Sequence, residues 1–294
     1  MDKKLSLFDM SESSAVIVKL LDMIEKGTGW LLAPKGKRRD FEEGLELYKT
    51  HIIEDPDIDG LEKAVRISAS RNELRKYINQ GKIIEHAAGE IKEDAKPEHV
   101  DQDWLFYFFE YAKNTSDEEL QKIWGRLLAM KVNGSPDITK RLINTFSVMG
   151  ADDIEVFCRL CAMTLVSDQE PGEIYPFICM RNHPSYYNRN GIKRQSLVQL
   201  DNLGLIEYDV HEDFVLPKAV PALQYASCKI RLQSGKRVSN GNVRFTGSGR
   251  ELFHITKAGE KEDFIGHCRR VWDEMGITCE ISEIPQTANC QKMT

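Results

Sequence analysis

The sequence predicts a mainly α-helical protein with a small α+β part near its C-terminus: a helical bundle followed by a winged-helix-like module. Apolar residues recur at helical spacing through most of the first 170 positions. After Pro171 the pattern changes to one helix followed by several short strand-like runs. Apolar residues make up 41% of the chain, which is enough to fill hydrophobic cores and argues against disorder.

Four parts are expected, because 294 residues are more than one ordinary helical core requires. Residues 1–95 form an N-terminal helical region suited to oligomerisation or membrane contact. Residues 96–170 form a compact helical core, and residues 171–284 form the winged-helix-like module. The polar residues 285–294 form a flexible tail.

The N-terminal region is predicted to contain three helices. Ser13 or Ser14 caps the first helix, whose apolar face covers residues 16–24. The second helix covers about Phe41–Ile53. A long third helix covers about Leu61–Glu93.

The central core has the strongest helical pattern in the chain. The aromatic-rich Trp104–Phe109 is predicted to be a short helix that is buried all round. Ser116 and Glu119 have the spacing of a capping box at the start of the next helix. Two further helices, Ile138–Met149 and Asp152–Val166, complete the core. The apolar face of the capped helix consists of Leu120, Ile123, Trp124, Leu127 and Leu128.

The C-terminal part begins with a helix over Ile192–Leu203, followed by an extended segment over residues 207–216. A helix that ends in Leu-Gly-Leu-Ile before a strand is typical of the recognition helix of winged-helix domains. Three strand-like runs come next, and Asn240-Gly241 has the composition of a two-residue hairpin turn between the last two. These runs are Lys229–Gln233, Arg237–Ser239 and Asn242–Phe245.

The sequence then predicts a final helix over Glu262–Met275 and a strand over Ile277–Ile281. His267 is expected on this helix, near Asp263. The segment Gly247-Ser248-Gly249 lacks the third glycine and the lysine of nucleotide-binding loops. It is therefore predicted to be a tight turn in which glycine supplies a positive φ.

Positive charge is concentrated in the C-terminal half. Between residues 181 and 257 there are twelve Lys or Arg and six Asp or Glu, although the whole chain carries a net charge of −6. Such a region can bind the phosphates of nucleic acid. In the alternative interpretation the winged helix is only a packing module whose cations pair with the acidic remainder. The candidate nucleic-acid-binding residues are Arg181, Arg189, Lys193, Arg194, Lys229, Arg231, Lys236, Arg237 and Arg244.

A zinc site is the weaker candidate. Cys158, Cys161, Cys179 and His183 have the spacing C-x2-C followed by C-x3-H, which zinc can use. The first two cysteines, however, lie within an apolar helical pattern, where cysteine usually behaves as a small buried hydrophobe. We therefore expect no metal and no other cofactor.

The expected location is the cytoplasm. The seven cysteines are odd in number and scattered, which is typical of reduced thiols and not of a disulfide framework. The chain begins without a secretory signal pattern and contains no apolar run of eighteen residues. An apolar first helix beside the basic run 35–39 could touch a membrane surface, but its acidic residues argue against such contact.

One stretch of the core resembles a bacterial family. Its residues are Asp103-Trp104-Leu105, Phe108-Phe109, Ser116-Asp117-Glu118-Glu119-Leu120-Gln121, Trp124-Gly125-Arg126 and Leu128-Ala129. They resemble the core of domain-of-unknown-function family 2806, which looks distantly similar to the Abi-alpha proteins of abortive phage infection. The resemblance covers about residues 65–255 and departs from the family pattern at Asn133–Pro136. It implies a bacterial or prophage origin and a defence setting, but no chemistry.

No catalytic signature occurs in the chain, neither G-x-S-x-G nor H-E-x-x-H. We therefore predict a non-enzymatic regulatory or sensing protein, in phage defence or prophage biology, whose basic C-terminal half binds nucleic acid. The alternative is an oligomeric effector or scaffold whose N-terminal helices act through protein or membrane contacts. An enzyme of unfamiliar type is the third hypothesis. The sequence identifies no protein partner.

Overall fold

A computed structural model describes residues 14–29, 38–135, 138–168, 173–217, 222–234, 237–256 and 258–284. The predicted tail and the candidate residue Lys236 lie outside these ranges. The chain divides into two compact units, residues 1–148 and residues 149–294. The predicted division into four parts stays a prediction.

The described secondary-structure elements of unit 1 are all helices. Its elements are α1 (Ala15–Thr28), α2 (Arg38–Glu54), α3 (Gly60–Ala88), a short 3₁₀ helix (Pro97–His99), α4 (Gln102–Ala112), α5 (Glu118–Val132) and α6 (Lys140–Ser147). Helix α3 packs along α5, and α1 packs against α4. Of the two residues predicted to cap α1, Ser14 is the cap, because its hydroxyl accepts the Ile17 N–H at 3.4 Å. None of the described helices is long and apolar enough to span a bilayer.

The core of unit 1 is built around Trp124. This side chain is 1% exposed and meets the rings of Phe108 and Phe146 edge-on, at centroid distances of 5.2 and 4.7 Å. Its Nε1 donates a hydrogen bond to the Thr115 hydroxyl at 3.0 Å. Trp104 stacks on the other side of Phe108 at 5.2 Å. Trp124, which is predicted on the apolar face of α5, therefore lies in the core.

Two predicted details of the core are wrong. Helix α5 is capped by Asp117, whose carboxylate accepts the Leu120 N–H at 3.0 Å. The Ser116 hydroxyl instead accepts from the Asn79 side chain at 3.2 Å, so it is not the cap. Helix α4 is not buried all round either, because Phe106 is 51% exposed.

Unit 2 is an α+β structure. Its helices are α7 (Ala151–Cys161), α8 (Pro184–Arg189), α9 (Arg194–Asn202), α10 (Gly247–Ile255) and α11 (Phe264–Glu274). Its strands are β1 (Thr164–Ser167), β2 (Ile174–Pro176), β3 (Ile206–Tyr208), β4 (Phe214–Val215), β5 (Leu223–Tyr225), β6 (Cys228–Gln233), β7 (Ser239–Gly241), β8 (Val243–Phe245) and β9 (Thr278–Glu283). Five of them form an antiparallel sheet in the order β2-β1-β5-β6-β9, and β3–β8 and β4–β7 form two separate antiparallel pairs.

Helix α7 is shorter than predicted. It ends at Cys161, and Thr164–Ser167 forms strand β1 instead of a last helical turn. Both edges of this strand are paired, with β2 on one side and β5 on the other. Residues distant in sequence therefore override the apolar helical spacing that continues to Val166.

The predicted hairpin turn at Asn240-Gly241 is wrong. Both residues lie in strand β7, which pairs with β4, while β6 pairs with β5 and β9. Gly241 has a φ of 92°, and a Cβ there would collide with the carbonyl of Ile178. Asn240 is buried, and its side chain donates to the carbonyl of Pro176 at 2.9 Å. The Asn-Gly pair therefore allows two chain segments to approach each other closely and does not form a turn.

The predicted turn at residues 247–249 is also wrong. These residues form the first turn of α10, and the Thr246 hydroxyl caps it by accepting the Gly249 N–H at 3.1 Å. A Cβ at Gly249 would collide with the carbonyl of Leu205, so this glycine allows α10 to approach the end of α9. No nucleotide loop is formed here.

Candidate nucleic-acid interface

Helices α8 and α9 form a helix–turn–helix. Pro184 begins α8 at a position where its missing N–H costs nothing. The turn runs through Gly191, whose φ is 75°. Leu197 and Leu200 bury the inner face of α9. The outer face of α9 is left exposed, as the sequence pattern predicts.

The start of α9 carries unpaired positive charge. Arg189, Lys193 and Arg194 are exposed, and none of them makes an ion pair or a hydrogen bond through its side chain with another described residue. Lys193 occupies the capping position, where no side chain accepts from the first amides, and the first turn contains no acidic residue. Helix N-terminal amides and free cations are both groups that bind phosphate.

The rest of the exposed α9 face is polar except for one apolar residue. Gln195 and Asn202 are exposed, and Val198 is 43% exposed. Asp201 is the single acidic residue of this helix. Such a face offers amide groups and an apolar contact of the kind that proteins use at base edges.

Helix α7 supports the turn between α8 and α9 from behind. Arg159 donates to the carbonyl of Gly191 at 3.3 Å and also pairs with Glu155. At α9 the side chain of Gln199 reaches Asp153 at 2.5 Å. These contacts hold the turn and the start of α9 in place.

A second set of contacts fixes the segment before α8 to strand β8. The side chain of Asn242, which is 1% exposed, accepts the Arg181 N–H at 3.1 Å. The same amide donates to the carbonyl of Glu212 at 3.2 Å and to the carboxylate of Asp213 at 3.0 Å. Through this buried amide, the segment before α8 is joined to the residues that precede β4.

Three other predicted cations are neutralised. Arg181 pairs with Asp213 at 2.9 Å, and Lys229 pairs with Asp168. The hydrogen bond from Lys229 holds the pKa of the Asp168 carboxyl below its usual value. Arg244 pairs with Glu207, its Nε lying 2.8 Å from the carboxylate, and it covers the ring of Phe214 at 4.8 Å. Each of these three cations therefore has a carboxylate partner with which a phosphate would have to compete.

The predicted basic hairpin does not exist as one surface. Lys229 and Arg231 lie on β6 in the five-stranded sheet, whereas Arg244 lies on β8, which pairs with β3. Arg237 is exposed just before β7. Eight of the nine predicted residues lie in the described part of the chain; the structure separates these eight, and of them it groups only Arg189, Lys193 and Arg194 around α9.

The four candidate zinc ligands are not arranged as they would be in a zinc site. Cys158 and Cys161 lie on helix α7, and burial raises the pKa of the Cys161 thiol well above its usual value. Burial also raises the pKa of Cys179 to about 12, and His183 faces Glu274 at 3.3 Å. Within the described part of the chain, no cluster of three or more His, Cys, Asp or Glu could hold a metal ion.

Comparison with known proteins places the chain among proteins whose activity is unassigned. The model of the family described as protein of unknown function (DUF2806) matches residues 64–268. This range includes the helix–turn–helix and all of the core that carries the resemblance. No curated protein and no solved structure matches the chain.

Proposed function

The chain belongs to the DUF2806 family of proteins of unknown function, and from this premise we propose that it is a non-enzymatic regulatory or sensing protein that binds nucleic acid. The observation that carries the proposal is the group of three cations, Arg189, Lys193 and Arg194, around the uncapped start of α9, whose side chains pair with no other residue in the described part of the chain. Phosphates would bind there, and the exposed α9 face would enter a groove.

The proposal includes a winged-helix-like arrangement of this region. Helices α8 and α9 are followed by the antiparallel pair β3–β8, which is the order of elements in a winged helix. At the wing, a phosphate would have to compete with Glu207 for the cation Arg244. A setting in phage defence or prophage biology, and a distant relation to the Abi-alpha proteins, are part of the same proposal.

Binding is tested by fluorescence anisotropy with labelled single- and double-stranded oligonucleotides at several salt concentrations. The double variant Lys193→Ala/Arg194→Ala should bind more weakly, and its log–log salt slope should be flatter by up to about two units. The matched control is Lys229→Ala/Arg231→Ala, which removes the same charge from the five-stranded sheet and should bind like wild type. Equal weakening by both pairs would refute the α9 surface, and no binding at low salt would refute the function.

A second function, self-association through α2 and α3, is favoured by exposed apolar side chains on these helices. Leu47, Leu61 and Val65 are 73%, 76% and 59% exposed. Leu61 and Val65 lie one turn apart on α3, which packs against α2, and contiguous exposed apolar residues are typical of protein interfaces. Light scattering of wild type and of Leu61→Glu/Val65→Glu tests this function: a multimer that dissociates in the variant supports it, and a wild-type monomer excludes it.

A further inference from the structure

A cleft of about 260 Å³ lies between α8 and α11, beside the proposed nucleic-acid surface. Arg189 comes from the end of α8, and Arg270 and Glu274 come from α11. His183 contributes from the residue that precedes α8. Charged residues from two segments about 80 positions apart in sequence therefore line the cleft.

One part of the cleft wall consists of aromatic side chains that contact one another. His267 is 3% exposed and stacks on Tyr186 with ring centroids 3.6 Å apart. The Tyr187 hydroxyl donates its one proton to the carbonyl of Phe177 at 3.0 Å. Since that hydroxyl also lies 3.0 Å from Nε2 of His267, the imidazole must be the donor in this second hydrogen bond. Burial, with the nearby charge of His183 as a smaller cause, lowers the pKa of His267 to about 4, so the ring is neutral at neutral pH.

The cleft lining contains more arginines than carboxylates. Arg189 and Arg270 make no side-chain hydrogen bond or ion pair with any other residue that the structure describes. Glu274 is the carboxylate of the lining, and it faces His183 at 3.3 Å. Asp263, which lies nearby, accepts from the Tyr186 hydroxyl at 3.2 Å and faces Lys261 at 3.7 Å. Two guanidinium groups therefore share the cleft with one carboxylate.

We propose that this cleft binds a phosphoryl group between Arg189 and Arg270. Guanidinium groups hold phosphate oxygens through paired, charge-assisted hydrogen bonds, and two of them can contact different oxygens of one phosphate. The volume is below the range of sites that enclose a complete small molecule, which is about 300–1,000 Å³. The cleft therefore fits the phosphate and the atoms attached to it, either at the 5′ end of a nucleic acid or on a small phosphorylated molecule.

Inorganic phosphate is the first probe. Thermal unfolding is measured in phosphate and in chloride at equal ionic strength, because a ligand that binds only the folded state raises Tm. Wild type should show a phosphate-dependent rise that Arg270→Gln loses, with affinity reduced about tenfold for the lost charged hydrogen bonds. Arg269→Gln is the matched control: it removes the same charge from the neighbouring position of α11, outside the cleft lining, and should keep the rise.

Glu274→Gln supplies a test of opposite sign. Removal of the carboxylate removes its repulsion of the bound anion, so phosphate should bind several-fold more tightly. General stabilisation by phosphate salts acts on all variants alike and cancels in these comparisons. Equal Tm rises in Arg270→Gln and Arg269→Gln would overturn the proposal. If Arg270→Gln does not fold, phosphate titration of wild type followed by the NMR signals of the His267 ring decides: unchanged signals overturn it, and a saturable shift supports it.

The source of the phosphate is decided with oligonucleotides of one sequence, with and without a 5′ phosphate, and with adenosine monophosphate. A 5′-phosphate preference that Arg270→Gln abolishes assigns the cleft to nucleic-acid ends. Binding of the mononucleotide without such a preference assigns it to small molecules. Arg189 belongs both to the proposed nucleic-acid surface and to the cleft. The two proposals can nevertheless be tested separately, because Lys193→Ala/Arg194→Ala should leave phosphate binding in the cleft unchanged.

Discussion

Trp124 is the residue on which the core of unit 1 depends. Trp124→Ala should lower the free energy of unfolding by about 3–5 kcal/mol, because it removes a fully buried ring and leaves the Thr115 hydroxyl without its indole donor. Chemical denaturation measures this loss. Phe106→Ala is the control, since that ring is 51% exposed and its removal should cost far less. Equal midpoints for the two variants would contradict the assignment of the core.

His267 makes the stability of unit 2 depend on pH. Its pKa is about 4 in the folded state against an ordinary value of 6.5, so the unfolded chain binds a proton more readily. The free energy of unfolding should be highest above about pH 6.5. It should fall by up to about 3 kcal/mol as the pH drops towards 4, because each unit of pKa difference corresponds to 1.36 kcal/mol. The charged and titratable groups that bear on the ring are His183, Arg270 and Asp263.

Denaturation of wild type and His267→Gln between pH 4 and pH 7.5 tests this dependence. Carboxylates also titrate near pH 4, but they contribute to both proteins, so the difference in slope isolates the histidine. The variant should show the weaker pH dependence over this interval. Parallel curves would mean that His267 is not the titrating group.

At the scale of elements, Gly241 decides how strand β7 fits against the segment before α8. Gly241→Ala should destabilise unit 2 by more than about 2 kcal/mol, because it combines a strained positive φ with a collision at the Ile178 carbonyl. Gly266→Ala is the control, since its Cβ would meet nothing within 4 Å on α11 and should stabilise the helix by up to about 1 kcal/mol. Thermal unfolding of both variants measures the contrast.

Elements specified by local pattern could be predicted from the sequence, and those specified by distant partners could not. The apolar spacing around Trp124 predicts α5, because packing repeats every helical turn. Asn240-Gly241 has a strong local turn signal, yet the backbone at Ile178, 63 positions before Gly241, determines its conformation. The α8–α9 cations could be predicted because they are adjacent in sequence. Arg270 was missed, since only folding brings α11 to α8.

At the scale of the whole molecule, the two compact units divide the expected roles. The exposed apolar residues of α2 and α3 belong to unit 1, whereas the cations around the start of α9 and the charged cleft belong to unit 2. The division falls after Val148, which is 67% exposed at the end of α6. A boundary near residue 95, in contrast, would remove Ile83, Ile84 and Ala87, which are buried on the α3 face towards α5. Cutting there should expose the core of unit 1.

The last prediction follows from this division. A fragment of residues 149–294 contains α7, the complete five-stranded sheet and every side chain that lines the α8–α11 cleft. It should therefore unfold cooperatively on its own and bind oligonucleotides with the affinity and salt slope of the full chain. The fragment 1–148 should fold and bind none. Circular dichroism melts and anisotropy titrations of both fragments measure these outcomes. A folded 149–294 fragment without binding would mean that unit 1 supplies part of the nucleic-acid surface, and binding by 1–148 alone would place the surface outside α9.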